Sequence, residues 1–219
     1  MYVRLLRSNL HNLATTIASM LLVIDNLLPE YELAGLRTLC LSHHQLRQFM
    51  DGSGLFSWLP TQDLSSTARS AHSTKSQAIV QHYLNQHLLP RVEQFTGSHA
   101  GAEWWCNTNN DLDWHIDKDE AEYQRTGCFQ LPLLSTVFYP YVSCAGGELL
   151  IADNPPVMPG SCGDLPDFRS VISIPPVINR LVLFSAGLIH RINPFDGERY
   201  SVAVNIWANR PSVISCQEN

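Results

Sequence analysis

The chain has 219 residues, of which 45% are hydrophobic and 16% are charged, and its formal net charge is −6. This balance predicts one globular domain over residues 1–219 and excludes a disordered chain, a coiled coil and a collagen-like fibre. The sequence contains no cluster of lysine and arginine. We therefore expect no nucleic-acid partner, because proteins that grip a phosphate backbone normally carry a basic stripe.

The cysteines and the N-terminal segment favour a protein of the reducing cell interior. Six cysteines are spread along the chain without a C-x-x-C pair, which predicts mostly reduced thiols and a cytoplasmic location. The apolar run over 14–24 is too short to cross a bilayer. We predict a buried strand over 21–24 rather than a signal peptide, and no membrane association.

The first half of the chain has the hydrophobic spacing of helices. Leucines recur at helix-like intervals after Pro29 and predict a helix over 30–50. A second helix is predicted over 76–95, where Pro90 should end or kink it because proline lacks an N–H donor. Residues 1–100 thus form a mainly helical support region in this prediction.

The second half changes to the short apolar runs and frequent turns of β structure. Eight strands are predicted between Gly, Pro and Asn turn signals: 102–107, 114–117, 134–142, 148–152, 171–174, 181–184, 188–192 and 200–207. Such a series is typical of a sandwich or barrel, which we place at 101–210. The long loop 154–170 is a candidate lid, because long loops in compact domains often cover binding sites.

The last predicted strand carries a polar stripe on one of its faces. Alternation of side chains places Tyr200 and the following even-numbered residues on an apolar face. The residues of the opposite face are Arg199, Ser201, Ala203, Asn205 and Trp207. A buried arginine requires an anionic partner, which is either a carboxylate of the protein or the carboxylate of a ligand.

Three further side chains have the chemistry of metal ligands. His115 and Asp117 are two residues apart, so on a strand they share a face; an acidic surface loop is the alternative interpretation. His190 lies on another predicted strand, where the alternative is a hydrogen-bonded core histidine. Taken together, two histidines and one carboxylate form the facial triad of non-haem Fe(II) oxygenases. A zinc hydrolase can use the same set of residues.

Four ordered motifs make the sequence similar to a known family. They are His115-x-Asp117, Ser135-Thr-Val-Phe-Tyr139 followed by Gly146-Gly147-Glu148, then His190, and then Arg199-x-Ser201. With these motifs, residues 102–208 resemble the 2-oxoglutarate/Fe(II)-dependent dioxygenase superfamily, specifically its prolyl-4-hydroxylase-like branch. The resemblance implies a mainly β fold with flanking helices around a double-stranded β-helix (jelly-roll, cupin-like) core.

The resemblance also implies a role for each motif. The implied Fe(II) ligands are His115, Asp117 and His190. The residues implied to bind the co-substrate 2-oxoglutarate are Arg199, Ser201 and Tyr139. The side chains expected to shape the substrate pocket are Trp105, Asn107, Asn205 and Trp207. The implied reaction uses O2 to hydroxylate an unactivated C–H bond of a small molecule, an amino acid or a peptide, with succinate and CO2 as co-products.

Two other functions stay open on the sequence alone. A cupin-like protein without catalytic activity would keep the barrel and bind a ligand. A nucleic-acid demethylase of the same superfamily usually carries a second arginine six residues after the first, where this chain has Asn205. Addition of Fe(II) and 2-oxoglutarate, with measurement of succinate, separates an oxygenase from a binding protein and from a zinc hydrolase. The sequence indicates no oligomeric state.

Overall fold

The strands of the protein form two antiparallel sheets. The computed structural model describes residues 2–5, 20–49, 57–61, 75–107 and 112–212. The strands in chain order are Tyr2–Leu5 (β1), Met20–Ile24 (β2), Ser57–Pro60 (β3), Gly101–Asn107 (β4), Leu112–His115 (β5), Leu134–Gly146 (β6), Leu149–Ala152 (β7), Val171–Ile174 (β8), Arg180–Ser185 (β9), His190–Ile192 (β10) and Phe195–Trp207 (β11). The larger sheet has the order β1-β2-β9-β6-β11-β4-β3, and the smaller has the order β5-β10-β7-β8.

The helices lie mainly in the first hundred residues. They are Glu30–Phe49 (α1), Lys75–Tyr83 (α2), a π-helical turn at Leu84–Leu88, Leu89–Thr96 (α3) and Glu120–Thr126 (α4). Within the described part of the chain, none of these helices has both the length and the apolar character that a bilayer crossing requires.

The fold class predicted from the sequence is confirmed, since the protein consists mostly of strands in two antiparallel sheets with a few flanking helices. All eight predicted strands exist, with ends displaced by a few residues. The strand predicted over 21–24 also exists as β2, which pairs with β9. The sequence did not predict β1 and β3, which extend the larger sheet at its two edges. The first hundred residues therefore contribute strands to the sheet as well as helices.

The helix predicted over 76–95 continues through Pro90. The backbone N–H of Leu89 donates to the carbonyl of Leu84, five residues earlier, at the end of the π-helical turn. Pro90 then occupies the first turn of α3, where a missing N–H is tolerated. The wider π-helical turn accommodates the proline within one continuous run of helical residues, so the helix does not end there.

Two hydrophobic clusters hold the elements together on the two sides of the larger sheet. The first packs α1, α2 and the π-helical turn against β11, through residues such as Leu36, Val80 and Val204. The second lies between the sheets and includes Phe184 of β9 and Ile151 of β7. The larger sheet is therefore covered by helices on one face, and its other face is directed toward the smaller sheet.

Three of the five described cysteines are free thiols, in line with the prediction of mostly reduced thiols, and the other two are paired. Cys128 and Cys162 form a disulfide across 34 residues of chain, whereas Cys40, Cys106 and Cys144 are free thiols. The sequence separation gave no sign of this pair, because only the turn at Gly127 and the return of loop 154–170 bring the two residues together. Cys216 lies outside the described residues.

The loop 154–170 packs beside the smaller sheet. The ring of Phe168 contacts that of Trp114 at a tilt of 55°, with 4.5 Å between the centroids, and the backbone N–H of Ser170 donates to Asp153. None of the loop residues lines the cavity described below. In this conformation the loop does not cover the cavity, and a lid role stays a prediction.

Candidate active site

A cavity of about 420 Å³ lies between the two sheets. Its walls combine apolar residues, such as Val137, Leu149 and Ile192, with polar and charged side chains. The polar and charged lining residues are Glu103, Asn107, His115, Asp117, Lys118, Asp119, Glu120, Thr136, His190, Arg199, Ser201 and Asn205. A largely apolar cleft with convergent polar groups is the usual form of a small-molecule site.

Two strands of the smaller sheet bring the predicted metal ligands together. His115 ends β5 and His190 begins β10, and the two residues lie directly opposite each other in the antiparallel pair. Their ring centroids are 4.3 Å apart. Asp117 lies just beyond the end of β5 rather than on the strand as predicted, but its Oδ1 is 3.9 Å from Nε2 of His115 and 3.8 Å from Nε2 of His190.

Hydrogen bonds to backbone carbonyls determine which ring nitrogen of His115 and of His190 is available as a metal ligand. Nδ1 of His115 lies 2.7 Å from the carbonyl oxygen of Asp113, and Nδ1 of His190 lies 3.0 Å from that of Leu188. A hydrogen bond to a carbonyl requires the proton on Nδ1, so Nε2 of each ring carries a lone pair. Burial and the neighbouring His115 lower the pKa of His190 to about 4, which keeps this imidazole neutral and able to bind a metal.

The three ligand atoms have the spacing of a site for a cation. All of them lie within 4.8 Å of one another, yet distances of 3.8 and 3.9 Å exceed hydrogen-bond length. Neighbouring ligands of an octahedral ion with bonds of about 2.1 Å stand about 3 Å apart, so Asp117 must approach each histidine by less than 1 Å. Two neutral imidazoles and a carboxylate are donors that suit Fe(II).

Arg199 lies in the same cavity and is almost completely buried. Its side chain is 1% exposed, and its Nε and Nη1 atoms have no hydrogen-bond partner among the described residues. No carboxylate in the described part of the chain lies within 4.0 Å of it. A Cβ at Gly147 would approach Cδ of Arg199 to 3.0 Å, so the glycine leaves room for the arginine. The guanidinium therefore fits a ligand carboxylate.

The family follows from the comparison of sequences. Residues 102–207 match the family model of the 2OG-Fe(II) oxygenase superfamily. Residues 102–207 belong to this superfamily. Members of the family use Fe(II), 2-oxoglutarate and O2, and both the predicted family and the predicted cofactors are confirmed. No curated protein sequence matches the chain.

Solved structures share the fold of this oxygenase. A prolyl-4-hydroxylase from Pseudomonas putida is 14% identical with a TM-score of 0.56, over 87% of this chain and 88% of that one. A prolyl hydroxylase from Trichoplax adhaerens, in complex with a hypoxia inducible factor peptide fragment, is 18% identical with a TM-score of 0.52, over 89% and 86%. HygX from Streptomyces hygroscopicus, with nickel and 2-oxoglutarate bound, is 12% identical with a TM-score of 0.51, over 86% and 82%.

Ser201 and Tyr139, the other two residues predicted to bind 2-oxoglutarate, both lie near Arg199, but only Ser201 lines the cavity. Ser201 lines the cavity, and its hydroxyl donates to the carbonyl of Asn107 at 3.2 Å. Tyr139 is fully buried behind the cavity wall, with its ring centroid 5.2 Å from the guanidinium carbon of Arg199. Burial raises the pKa of Tyr139, and Arg199 opposes this shift. Its hydroxyl thus stays protonated and lacks a partner with hydrogen-bond geometry among the described residues.

The oxygenase places three of the four predicted pocket residues on the cavity wall. Trp105, Asn107 and Asn205 line the cavity, as the alternation of β4 and β11 predicts. Trp207 does not line it. Its indole Nε1 donates to Oε2 of Glu103 at 2.9 Å and is buried. Trp207 therefore contacts a residue of the cavity wall, Glu103, and a role of Trp207 in substrate binding stays a prediction.

Glu103 is a cavity residue that the sequence analysis missed. It lies on β4, lines the cavity and is 7% exposed. Burial raises its pKa to about 7, although hydrogen bonds from Trp207 and Asn205 oppose the shift. The signal was present in the sequence, since Glu103, Trp105 and Asn107 alternate along one strand and so share a face.

Proposed function

We propose that this oxygenase hydroxylates an unactivated C–H bond of a small molecule, an amino acid or a peptide. In the balanced reaction, R–H, 2-oxoglutarate and O2 give R–OH, succinate and CO2. One observation carries the proposal. Nε2 of His115, Nε2 of His190 and Oδ1 of Asp117 lie close together without hydrogen bonds to one another. The same cavity holds a buried guanidinium that has no carboxylate partner among the described residues.

In this proposal His115, Asp117 and His190 hold the iron. The carbonyls of Asp113 and Leu188 fix the ring orientations, so both Nε2 atoms point to one position before metal arrives. When bound, Fe(II) would supply the oxidative chemistry that couples decarboxylation of 2-oxoglutarate to oxygen insertion. Three protein ligands leave three positions of an octahedral ion open, enough for a bidentate oxo acid and O2.

Arg199 orients the co-substrate in this proposal. Its planar guanidinium forms paired hydrogen bonds with the carboxylate that lies farther from the metal. Ser201 follows Arg199 by two residues on β11 and lines the same cavity. Its hydroxyl now donates to the carbonyl of Asn107 and can rotate to donate to the carboxylate of the co-substrate instead. Tyr139 supports the guanidinium from behind. Apolar wall residues such as Val137 and Leu149 reduce the amount of water around the reacting groups.

The identity of the residues favours hydroxylation over two related reactions. Asp117 fills the position that a halide would need in a halogenating enzyme. Asn205 stands where nucleic-acid demethylases usually carry a second arginine, and the net charge of −6 also disfavours a phosphate backbone. The hydroxylase in complex with a peptide fragment supports a peptide among the candidate substrates. We further propose that residues 1–100 support a catalytic core at 101–210 within one domain.

Co-substrate binding and turnover together test the proposed function. Calorimetry should show 2-oxoglutarate binding only when Mn(II) or anaerobic Fe(II) is present, and exposure of the Fe(II) complex to O2 should release succinate. His190→Ala is the matched control, because it removes one ligand and leaves Arg199 in place. Binding of 2-oxoglutarate that does not depend on metal, or equal succinate from the wild type and this variant, would contradict the proposal.

A further inference from the structure

Each charged group of the cavity other than Glu103 already has a structural contact or a role in the proposed function. Nζ of Lys118 lies 2.7 Å from Oε2 of Glu120. The carboxylate of Asp119 accepts from the backbone N–H of Glu122 at 3.1 Å and from that of Ser212 at 2.5 Å. In the proposed function, Asp117 binds iron and Arg199 binds 2-oxoglutarate. The remaining charged side chain of the cavity wall is Glu103.

Within the described part of the chain, the groups that donate to Glu103 are neutral. Oε2 accepts from Nε1 of Trp207 at 2.9 Å, and the side-chain amide of Asn205 is a second donor. A carboxylate has about four acceptor positions, so these two bonds orient the group and leave part of it unsatisfied. Neutral donors also leave its charge unbalanced, and a buried charge is costly without a counter-ion.

Asn205 adds an unused acceptor beside Glu103. The two residues are directly opposite each other on β11 and β4. Asn205 is 3% exposed and lines the cavity, and its Oδ1 has no hydrogen-bond partner among the described residues. A carboxylate and an amide oxygen side by side form a surface that accepts hydrogen bonds. Such a surface suits a group that carries several N–H donors and a positive charge.

Glu103 and Asn205 lie too far from Arg199 to contact the co-substrate, so they are available to bind the substrate. Asn205 follows Arg199 by six residues on the same strand, which is about 20 Å of extended chain. A dicarboxylate of five carbons that is held by Arg199 and by the metal is too short to reach Glu103. Trp105, the next residue on the same face of β4, provides an apolar surface beside the pair.

We propose that Glu103 and Asn205 bind a protonated nitrogen of the substrate, so that the oxygenase acts on a cationic amine or guanidinium compound. This inference rests on the proposed function, since it assigns the other charged residues to metal and co-substrate. Glu103 binds the charge, Asn205 Oδ1 accepts one N–H, and Trp207 keeps the carboxylate oriented. Glu103 is thus a specificity-determining residue that needs no role in the oxidation itself.

Matched pairs of small molecules test the proposal on the metal-loaded enzyme. The probes are L-arginine, L-lysine, L-proline and putrescine, each beside its N-acetylated form that lacks the charge at one nitrogen. Calorimetry is performed on the anaerobic complex with Fe(II) and 2-oxoglutarate, and mass spectrometry detects products that gain one oxygen. At least one free amine should bind at least about tenfold more tightly than its acetylated form, and the hydroxylated product should come from the free amine.

Two variants separate the role of Glu103 from a general effect of charge. Glu103→Gln keeps the shape and removes the negative charge, and it should weaken binding of the amine by about 30-fold or more. Glu120→Gln removes a negative charge from the cavity rim and should change that affinity less than threefold. Both variants should keep the wild-type affinity for 2-oxoglutarate, which shows that they are folded.

The outcome also distinguishes this inference from the proposed function. The inference is wrong if no amine binds better than its acetylated form, or if Glu103→Gln binds the amine as well as the wild type does, while metal-dependent binding of 2-oxoglutarate is intact. If the metal-loaded wild type does not bind 2-oxoglutarate at all, the proposed function is contradicted instead.

Discussion

Replacement of Arg199 by methionine separates the two roles that a buried guanidinium can have. The side chain lies over the rings of Tyr139 and Phe195, with its guanidinium carbon 5.2 and 5.5 Å from their centroids. Arg199→Met keeps a long unbranched stem against these rings and removes the charge. If the charge serves 2-oxoglutarate, the variant loses co-substrate affinity and keeps its stability.

The magnitude follows from the burial of the pair. Removal of one partner from a buried, hydrogen-bonded charge pair costs about 2–5 kcal/mol, which is a rise in the Kd for 2-oxoglutarate of about 30-fold or more. At a concentration of 100 times its Kd, the co-substrate stabilises the wild type by about 2.7 kcal/mol. A variant with a Kd 100-fold higher gains only about 0.4 kcal/mol at that same concentration.

Urea unfolding in the presence of Mn(II), with and without 2-oxoglutarate, measures both quantities. Arg180→Met is the control, since Arg180 pairs with the half-exposed Asp25 at 2.6 Å, away from the cavity. It should lose at most about 1 kcal/mol and bind 2-oxoglutarate normally. The reasoning is refuted if Arg199→Met is stabilised by 2-oxoglutarate as much as the wild type is. A loss of several kcal/mol without 2-oxoglutarate would equally show that the protein itself pairs with the guanidinium.

Three other predictions concern the metal, the pH dependence and the disulfide. His190→Ala should abolish stoichiometric Fe(II) binding and succinate formation, as measured by metal analysis and chromatography; retained iron would exclude His190 as a ligand. In the metal-free protein, the raised pKa of Glu103, about 7 against 4.5 in the unfolded chain, means that the folded state keeps a proton which the unfolded state has released. Stability should therefore fall as pH rises between these values, by up to about 1.4 kcal/mol per unit, and urea unfolding should show less of this decline in Glu103→Gln. Cys128→Ser should lower the free energy of unfolding by about 3–4 kcal/mol, and a reducing agent should have this effect on the wild type but not on the variant.

The arrangement of β11 shows how far local pattern can predict a site. Side chains of a strand alternate by geometry alone, so the pattern of residues is enough to assign Val202 to the core and Arg199 to the opposite face. The structure agrees, with Val202 packed under the helices and Arg199 in the cavity. The same rule placed Trp105 and Asn107 on the cavity wall and could have added Glu103.

Local signals were also available for one element that the sequence analysis overlooked. No helix is predicted after Asp117, where an acidic surface loop is the alternative to a metal site, but α4 begins there. Asp119 caps this helix by accepting from the backbone N–H of Glu122, and Gly127 ends it with a left-handed backbone. An aspartate followed three residues later by glutamate is an ordinary helix start. The capping pattern of Asp119 and Glu122 is therefore enough to predict the start of this helix.

Other features depend on contacts between distant parts of the chain. Cys128 and Cys162 are 34 residues apart in sequence and 4.0 Å apart between Cα atoms. Trp207 follows the alternation of β11, and its indole is bound to Glu103 of the neighbouring strand. Neither result follows from spacing, since each depends on which segments become neighbours in the folded protein.

The sequence by itself determined the chemical types at the site and their order, because strand periodicity and the spacing of His115, Asp117, His190 and Arg199 are properties of a short stretch of chain. Only the tertiary structure decided that the two histidines are opposite each other, that Arg199 lacks an acidic partner among the described residues, and that Glu103 and Asn205 share one end of the cavity. The physical reason is that distances between strands are set by the pairing and packing of two sheets, to which residues throughout the chain contribute.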